Sequence, residues 1–170
     1  MKYFFDLCII GGLGRVGLPL GILFADKQLK VALYDVNKRI SNIVSKGEMP
    51  YKEKGAKSLL KKVIKTNNLK ISLDPSCITK SKFIIITIGT PIDNKNNPKI
   101  KDFLLAIKKL SKYFKKSQII IIRSSVYPGI CKEVFNILSK QNIYDIAYCP
   151  ERIKQGFSIQ ELRTLPQIVS

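Results

Sequence analysis

The sequence predicts an α/β fold: a doubly wound parallel sheet of six strands, in the order 3-2-1-4-5-6, with helices on both faces. Short apolar, β-branched segments alternate regularly with amphipathic segments of helical period. The segments 83–88 and 119–122 are almost wholly apolar, as expected for strands buried on both faces of a parallel sheet. Such a sheet has right-handed crossovers and binds ligands at the carboxyl ends of its strands.

The order of the segments gives each predicted element. Asn37 is expected to cap the second helix and Gly47 to end it, and Asp102 is expected to cap the fourth. The segment after Cys149 has no evident sheet partner, so we expect a domain over residues 1–150 and a connection to a further half over residues 151–170. The predicted strands span residues 4–10, 31–34, 69–73, 83–88, 119–122 and 143–148, and the predicted helices span residues 13–25, 36–46, 53–67, 102–115 and 130–140, with a loop over residues 93–99.

A glycine motif joins the first strand to the first helix. Gly12 is expected to allow the tight turn, Gly14 to let the backbone approach a pyrophosphate, and Gly17 to let the helix pack close to the strand. The free N–H groups and positive dipole of the helix N-terminus favour phosphate there. The predicted cofactor-binding residues of this turn are Gly12, Leu13, Gly14, Arg15, Val16 and Gly17.

An acidic residue ends the second strand. Asp35 follows the apolar run 31–34 and lies eighteen positions past Gly17. A carboxylate at this place accepts hydrogen bonds from the hydroxyls of an adenosine ribose and repels a 2′-phosphate. Strand, glycine motif, helix, strand and acid in this order predict a Rossmann-type domain that binds NAD. Lys38 and Arg39 follow the acid and leave NADP open as an alternative.

Composition limits the other function classes. The chain has 170 residues, enough for one full domain, and no apolar run long enough to span a membrane, so we expect a cytoplasmic protein. The net charge of +18 comes mostly from lysines that form stripes on predicted helices, which are usually solvated faces. We therefore expect no specific nucleic-acid partner, although a salt-dependent attraction to polyanions stays open. The four cysteines are scattered and histidine is absent, so we expect neither a metal site nor a disulfide framework.

The loops at the carboxyl ends of the later strands carry further polar and turn residues. They are Gly89-Thr90-Pro91-Ile92-Asp93, Ser124-Ser125-Val126-Tyr127-Pro128-Gly129 and Cys149-Pro150-Glu151-Arg152. Each loop alone is ordinary turn chemistry. Together with the glycine motif, their order and approximate spacing resemble the nucleotide-sugar 6-dehydrogenases, the group of UDP-glucose, UDP-N-acetylmannosamine and GDP-mannose dehydrogenases. The resemblance covers only the N-terminal NAD-binding domain of that family, and the Cys-Pro-Glu-Arg turn looks most like the UDP-N-acetylhexosamine branch.

The resemblance implies two successive hydride transfers to NAD, which convert the primary alcohol of a UDP-sugar to a carboxylate through a cysteine-bound intermediate. Carried over by position, Thr90 and Pro91 would line the nicotinamide side. Ser125, where the family usually has threonine, would bind near the reacting carbonyl or its water and near the cofactor. Glu151 would activate the hydrolytic water as a general base. Arg123 is left open between a phosphate and a neighbouring acid as its partner.

The cysteine nucleophile of the family and its assisting lysine and asparagine have no counterpart in this chain. Cys149 lies in a turn to which the resemblance assigns no nucleophile, and we expect it to pack. The chain is therefore expected to bind NAD without completing the reaction alone, and the family's full-length enzymes are expected to be homodimers. The alternatives are a non-catalytic NAD-binding module, a remnant of such an enzyme, or another Rossmann dehydrogenase.

Overall fold

The computed structural model describes residues 3–90 and 100–170. Over these residues the chain forms one six-stranded sheet in the order β3-β2-β1-β4-β5-β6, and every neighbouring pair of strands is parallel. This confirms the predicted fold class, strand number and strand order. The strands are β1 (Phe5–Ile10), β2 (Val31–Tyr34), β3 (Leu69–Ser72), β4 (Ser81–Ile86), β5 (Ile119–Ile122) and β6 (Ile146–Tyr148).

The helices are α1 (Gly17–Asp26), α2 (Lys38–Ser45), α3 (Ala56–Lys65), α4 (Ser76–Thr79), α5 (Ile100–Leu110), α6 (Ile130–Ser139) and α7 (Ser158–Thr164), and a 3₁₀ turn (Ser111–Tyr113) follows α5. Asn37 caps α2 as predicted, since its side-chain oxygen accepts the amide of Ile40 at 3.0 Å. Gly47 follows the end of α2 with a φ of 76°, which confirms it as the stop residue.

Several predicted boundaries were wrong. Helix α1 begins at Gly17 and not at residue 13, because the intervening residues form the turn. Helix α3 begins at Ala56 and not at residue 53, because Gly55, with a φ of 77°, interrupts the helical backbone before it. Asp102 lies inside the first turn of α5 and does not cap it. Strands β4 and β6 are displaced or shorter, and the short helices α4 and α7 were not predicted.

Helices cover both faces of the sheet, so alternate strand residues enter two separate cores. Cys8, Ile10 and Ile84 point toward α4, α5 and α6. Leu7 and Ile9 point to the other face, toward α1, α2, α3 and α7. This alternation follows from the two-residue period of a strand and explains why β1, β2 and β4 are apolar on both faces.

The segment after β6 packs back onto the domain. Helix α7 lies against α1, and Ile159 of α7 is buried in the same core as the α1 side chains. Ser170 exchanges two backbone hydrogen bonds with Tyr148, of 2.7 and 2.9 Å. The expectation that this segment lacks a sheet partner was therefore wrong at its last residue. None of the helices in the described parts of the chain has the length and apolarity to cross a membrane.

Candidate functional site

The glycine turn lies between the end of β1 and the start of α1. Gly11 has the positive φ of the turn, 78°, so the tight turn depends on Gly11 and not on Gly12. Gly12 is required for close packing instead, since a Cβ there would lie 2.9 Å from the Cα of Leu33 in β2. At Gly17 a Cβ would lie 2.6 Å from the carbonyl oxygen of Gly11, as the predicted close approach of helix and strand requires.

The solvent side of the turn is open. Gly14 is exposed, and a Cβ there would meet only the carbonyl oxygen of Gly11, at 3.3 Å. Over residues 3–90 and 100–170, the amides of Arg15, Val16 and Gly17 have no hydrogen-bond acceptor; Arg15 is exposed, Val16 is partly exposed and Gly17 is buried. These free N–H groups beside an exposed glycine, at the N-terminus of α1, fit the pyrophosphate of a dinucleotide.

Tyr51, which was not selected from the sequence, contacts this turn. Its hydroxyl donates to the carbonyl of Gly14 at 2.8 Å, and the Arg15 guanidinium lies 5.1 Å from the centre of its ring. Burial raises the pKa of the Tyr51 phenol far above its usual range, and the negative charge of Glu53 adds to the increase. The phenol therefore stays protonated and available as a donor.

Asp35 is fixed at the end of β2, next to the turn. Its two carboxylate oxygens accept the backbone amides of Leu13 and Asn37, each at 3.0 Å. One of these bonds ties the acid directly to the glycine turn. Each oxygen keeps further acceptor capacity, and the side chain is only partly buried, so the carboxylate can also accept ribose hydroxyls. The structure thus brings together the predicted glycines and the predicted acid.

The loops after β4 and β5 meet at the same edge of the sheet. The Thr90 hydroxyl donates to the carbonyl of Ser125 at 2.9 Å, and the Ser124 hydroxyl donates to the carbonyl of Ile88 at 2.7 Å. Two predicted site residues, Thr90 and Ser125, are therefore neighbours, and Ser125 is exposed. Pro91 and the predicted loop 93–99 lie outside the described residues.

Thr87, at the end of β4, links this second group of loops to the glycine turn. Its hydroxyl donates to the carbonyls of Ile10 and Gly11, at 3.0 and 3.1 Å. Thr87 was not selected from the sequence, although a lone hydroxyl at the end of an otherwise apolar strand was a usable signal. The contact keeps the glycine turn and the loop after β4 in a fixed relation.

A buried ion pair lies at the ends of β5 and β6. The Arg123 guanidinium contacts one oxygen of Glu151 through both Nε and Nη2, and both side chains are 7% exposed. The other Glu151 oxygen accepts the amides of Arg152 and Ile153, at 2.8 and 3.2 Å. The partner of Arg123, left open by the sequence, is therefore the neighbouring acid.

The remaining nitrogen of Arg123 joins the turn after β6 to the last residues of the chain. Its Nη1 donates to the Cys149 sulfur at 3.2 Å and to the Gln167 side-chain oxygen at 2.9 Å. Cys149 is buried, as the packing prediction requires. A groove of about 640 Å³ beside this cluster is lined by Leu20, Leu23, Phe24, Lys27, Arg123, Leu162, Arg163 and Gln167. None of the predicted cofactor-binding residues lines this groove.

No group of three or more histidine, cysteine, aspartate or glutamate side chains within residues 3–90 and 100–170 is arranged to hold a metal ion. The chemistry of the described site thus rests on backbone amides, carboxylates, hydroxyls and one buried arginine.

Comparison with known proteins agrees with this geometry. The family model for the NAD-binding domain of the UDP-glucose/GDP-mannose dehydrogenase family matches residues 5–170. The UDP-N-acetyl-D-mannosamine dehydrogenase of Campylobacter jejuni is 30% identical over 95% of this chain and 42% of its own length. That of Methanocaldococcus jannaschii is 33% identical over 92% of this chain and 36% of its own length.

A solved structure has the same fold. The UDP-N-acetyl-mannosamine dehydrogenase Cap5O of Staphylococcus aureus superposes with a TM-score of 0.86, at 26% identity, over 96% of this chain and 40% of that chain. The present chain thus spans well under half the length of these relatives, and the matched part is their NAD-binding portion. The chain belongs to the UDP-glucose/GDP-mannose dehydrogenase family, of which it carries the NAD-binding domain.

Proposed function

We propose that this chain is the cofactor half of a dehydrogenase that oxidises a UDP-sugar, a UDP-N-acetylhexosamine, at its primary alcohol to the uronic acid. NAD, when bound, accepts the hydride. The observation that carries the proposal is the fixed Asp35 carboxylate beside a glycine turn with free backbone amides. The printed names of the relatives, which are UDP-N-acetyl-D-mannosamine dehydrogenases, support the substrate class.

Different residues of the turn contact different parts of the bound cofactor. The amides of Arg15 and Val16 face the pyrophosphate, because they are unpaired donors at the N-terminus of α1 and belong to residues that are at least partly exposed. Asp35 accepts the ribose hydroxyls. A 2′-phosphate would place negative charge against this carboxylate, so NAD binds more tightly than NADP. Gly12 and Gly17 keep the turn close to the sheet.

On the nicotinamide side, we assign Thr90, Pro91 and Ser125 to the cofactor and the reacting carbon. The exposed Ser125 hydroxyl is placed to hydrogen-bond a carbonyl oxygen or a water. Glu151 serves as the general base for the hydrolytic water. Its carboxylate is fully partnered in this structure, so it must exchange one Arg123 contact for that water before it accepts a proton.

The lysines on the helix surfaces support the absence of a specific nucleic-acid partner. On α3, Lys57 and Lys61 pair with Glu48, and Lys62 pairs with Asp26. Part of the positive charge is therefore balanced locally. The proposal further includes cytoplasmic location and a homodimer of the whole protein. The exposed apolar residues Leu165, Ile168 and Val169, near the end of the chain, support an apolar contact with further protein there.

Calorimetric titration with NAD and NADP tests the cofactor assignment, with Asp35→Ala as the test variant and Asp6→Ala as the matched control. Asp6 also accepts a backbone amide, that of Lys30, but lies at the opposite end of β1. We expect saturable NAD binding that Asp35→Ala weakens at least about tenfold, because a charge-assisted hydrogen bond contributes roughly 1.5–3 kcal/mol. Asp6→Ala is expected to leave the affinity unchanged. A folded wild-type chain that binds neither dinucleotide would contradict the proposal.

The substrate and the reaction need a second measurement. The chain alone, with NAD and a UDP-N-acetylhexosamine, is expected to form no NADH, since the nucleophile and its assisting residues match no position here. NADH production by the purified chain would overturn the assignment of this chain as the cofactor half only.

A further inference from the structure

Two cysteines outside the cofactor site form a pair in the core of the domain. Cys8 lies in the middle of β1 and is fully buried, and Cys77 lies in α4 and is 6% exposed. Their sulfur atoms are 3.9 Å apart, although 69 positions separate them in the chain. Both are free thiols, and none of the roles assigned above uses either of them.

The two cysteines lie in elements of different size and position. Cys8 is held on a central strand between Ala32 of β2 and Ile84 of β4. Cys77 lies in a helix of only four residues that follows Pro75. A disulfide bond is about 2 Å long, so the sulfurs must approach by roughly 2 Å for the bond to form.

The pair is also polarised. The hydrogen bond between the two thiols lowers the pKa of Cys77, which the Ser72 side chain also lowers. The same bond raises the pKa of Cys8, and the complete burial of that thiol adds to the increase. Loss of the proton is therefore easier at Cys77 than at Cys8. Cys77 is also the residue with residual exposure, 6%, whereas Cys8 is fully buried, so the more acidic thiol belongs to the more exposed residue.

We propose that Cys8 and Cys77 are an oxidation site, at which a hydroperoxide converts the two thiols into a disulfide between β1 and α4. The Cys77 sulfur attacks one peroxide oxygen, the O–O bond breaks, and Cys77 becomes a sulfenic acid as hydroxide or alkoxide leaves. The Cys8 sulfur then attacks the Cys77 sulfur, the S–O bond breaks, and the hydroxyl leaves as water with the Cys8 proton. The two thiols lose two electrons, and the peroxide is reduced.

The bond would cross-link the strand that leads into the glycine turn to a helix in the same core as Tyr34, the residue before Asp35. Oxidation therefore acts on the scaffold of the cofactor site and not on its ligand-contacting groups. Formation of this disulfide does not depend on NAD binding.

The test treats the folded wild-type chain with hydrogen peroxide, blocks remaining thiols by alkylation, digests with trypsin and analyses the peptides by mass spectrometry. We expect the peptides spanning residues 3–15 and 71–80 to be joined, with two hydrogens lost, and to separate on reduction. Cys131 is a lone, partly exposed thiol and provides the comparison for simple accessibility. Oxidation of Cys131 while the two core peptides stay separate and alkylated would overturn the proposal, as would a cross-link that appears only in urea.

Two variants test the order of the steps. In Cys8→Ser, Cys77 is expected to accumulate as a sulfenic acid that dimedone traps, because the second thiol is missing. In Cys77→Ser, the fully buried Cys8 is expected to gain no adduct. Trapping of Cys8 in the second variant, with none on Cys77 in the first, would refute the assignment of Cys77 as the attacked sulfur. Circular dichroism of both variants before oxidation confirms that the comparison is made on folded protein.

Discussion

Gly14 and Gly17 lie three residues apart in the same turn, yet an added methyl group meets different surroundings at each. At Gly17 it would lie 2.6 Å from the carbonyl oxygen of Gly11 and 2.7 Å from the hydroxyl of Thr87. Both distances are below any normal carbon–oxygen contact, and the backbone oxygen cannot move without opening the turn. Overpacking costs about 1–3 kcal/mol, and two such contacts place Gly17→Ala near the upper value. At roughly 2–4 °C per kcal/mol for a chain of this size, the melting temperature should fall by about 6–12 °C.

At Gly14 the methyl group would meet one atom, the Gly11 oxygen, at 3.3 Å, and would point into solvent. The φ of Gly14 is not positive, so alanine also reduces the entropy of the unfolded chain, by about 0.4–1 kcal/mol. Gly14→Ala should therefore leave the melting temperature unchanged or raise it by up to about 4 °C. The methyl group would, however, stand where the pyrophosphate approaches, and the affinity for NAD should fall by roughly 10- to 100-fold as charge-assisted hydrogen bonds are lost.

Thermal unfolding followed by circular dichroism, combined with calorimetric titration of NAD, separates the two effects. Stability is expected to fall in Gly17→Ala alone, and affinity is expected to fall in Gly14→Ala without loss of stability. Equal destabilisation by the two substitutions would refute the packing argument. A Gly14→Ala chain that is folded and binds NAD with wild-type affinity would refute the placement of the pyrophosphate on this turn.

Three further predictions concern the charged contacts. Arg123→Met should destabilise the fold by about 3–5 kcal/mol in urea unfolding, because it leaves the buried Glu151 carboxylate unpaired, and Arg123→Met combined with Glu151→Gln should cost less than Arg123→Met alone; additive losses would contradict the pairing. Glu53→Gln should cost about 0.5–2 kcal/mol and speed amide exchange at the start of α7, where the carboxylate accepts two backbone amides; unchanged exchange would argue against this cap. The hydrogen bond from Lys62 lowers the pKa of Asp26 in the folded state. The stabilisation from this contact is therefore present above the ordinary carboxyl pKa and is lost as the pH falls through the folded pKa. Asp26→Asn should flatten the dependence of stability on pH below about pH 4, and an unchanged dependence would show that this contact does not cause it.

The sequence could predict the parts of the site whose residues lie close to one another along the chain. The glycine motif and Asp35 are separated by one helix and one strand, and the contact between Leu13 and Asp35 follows from the crossover geometry of such a unit. Even here the sequence misplaced the tight turn, because Gly11 and Gly12 are adjacent and either one satisfies the spacing. Only the backbone φ distinguishes them.

The remaining contacts could not be predicted, because they join distant segments whose relative position depends on packing. Tyr51 reaches Gly14 over 37 positions, and Glu53 reaches Ser158 over 105. Neither residue has a local signal, since a tyrosine and a glutamate before a helix are ordinary. Glu53 was predicted to begin α3, and propensity alone favours that interpretation. The Glu53 carboxylate instead points to the start of α7, where two backbone amides and the Ser158 hydroxyl donate hydrogen bonds to it.

Tyr51 and Glu53 also hold the glycine turn and the segment after Glu151 in a fixed relative position. They lie two positions apart in the connection between α2 and α3; Tyr51 bonds to the glycine turn, and Glu53 bonds to the segment that follows Glu151. The backbone amide of Lys54 adds a third contact, to the carbonyl of Gly156. A displacement of the segment after β6 must therefore strain either these hydrogen bonds or the glycine turn. The connection between α2 and α3 is partly buried and bonds both to the glycine turn and to the segment after Glu151. The same short stretch of chain therefore positions the glycine turn and the loop with the candidate base.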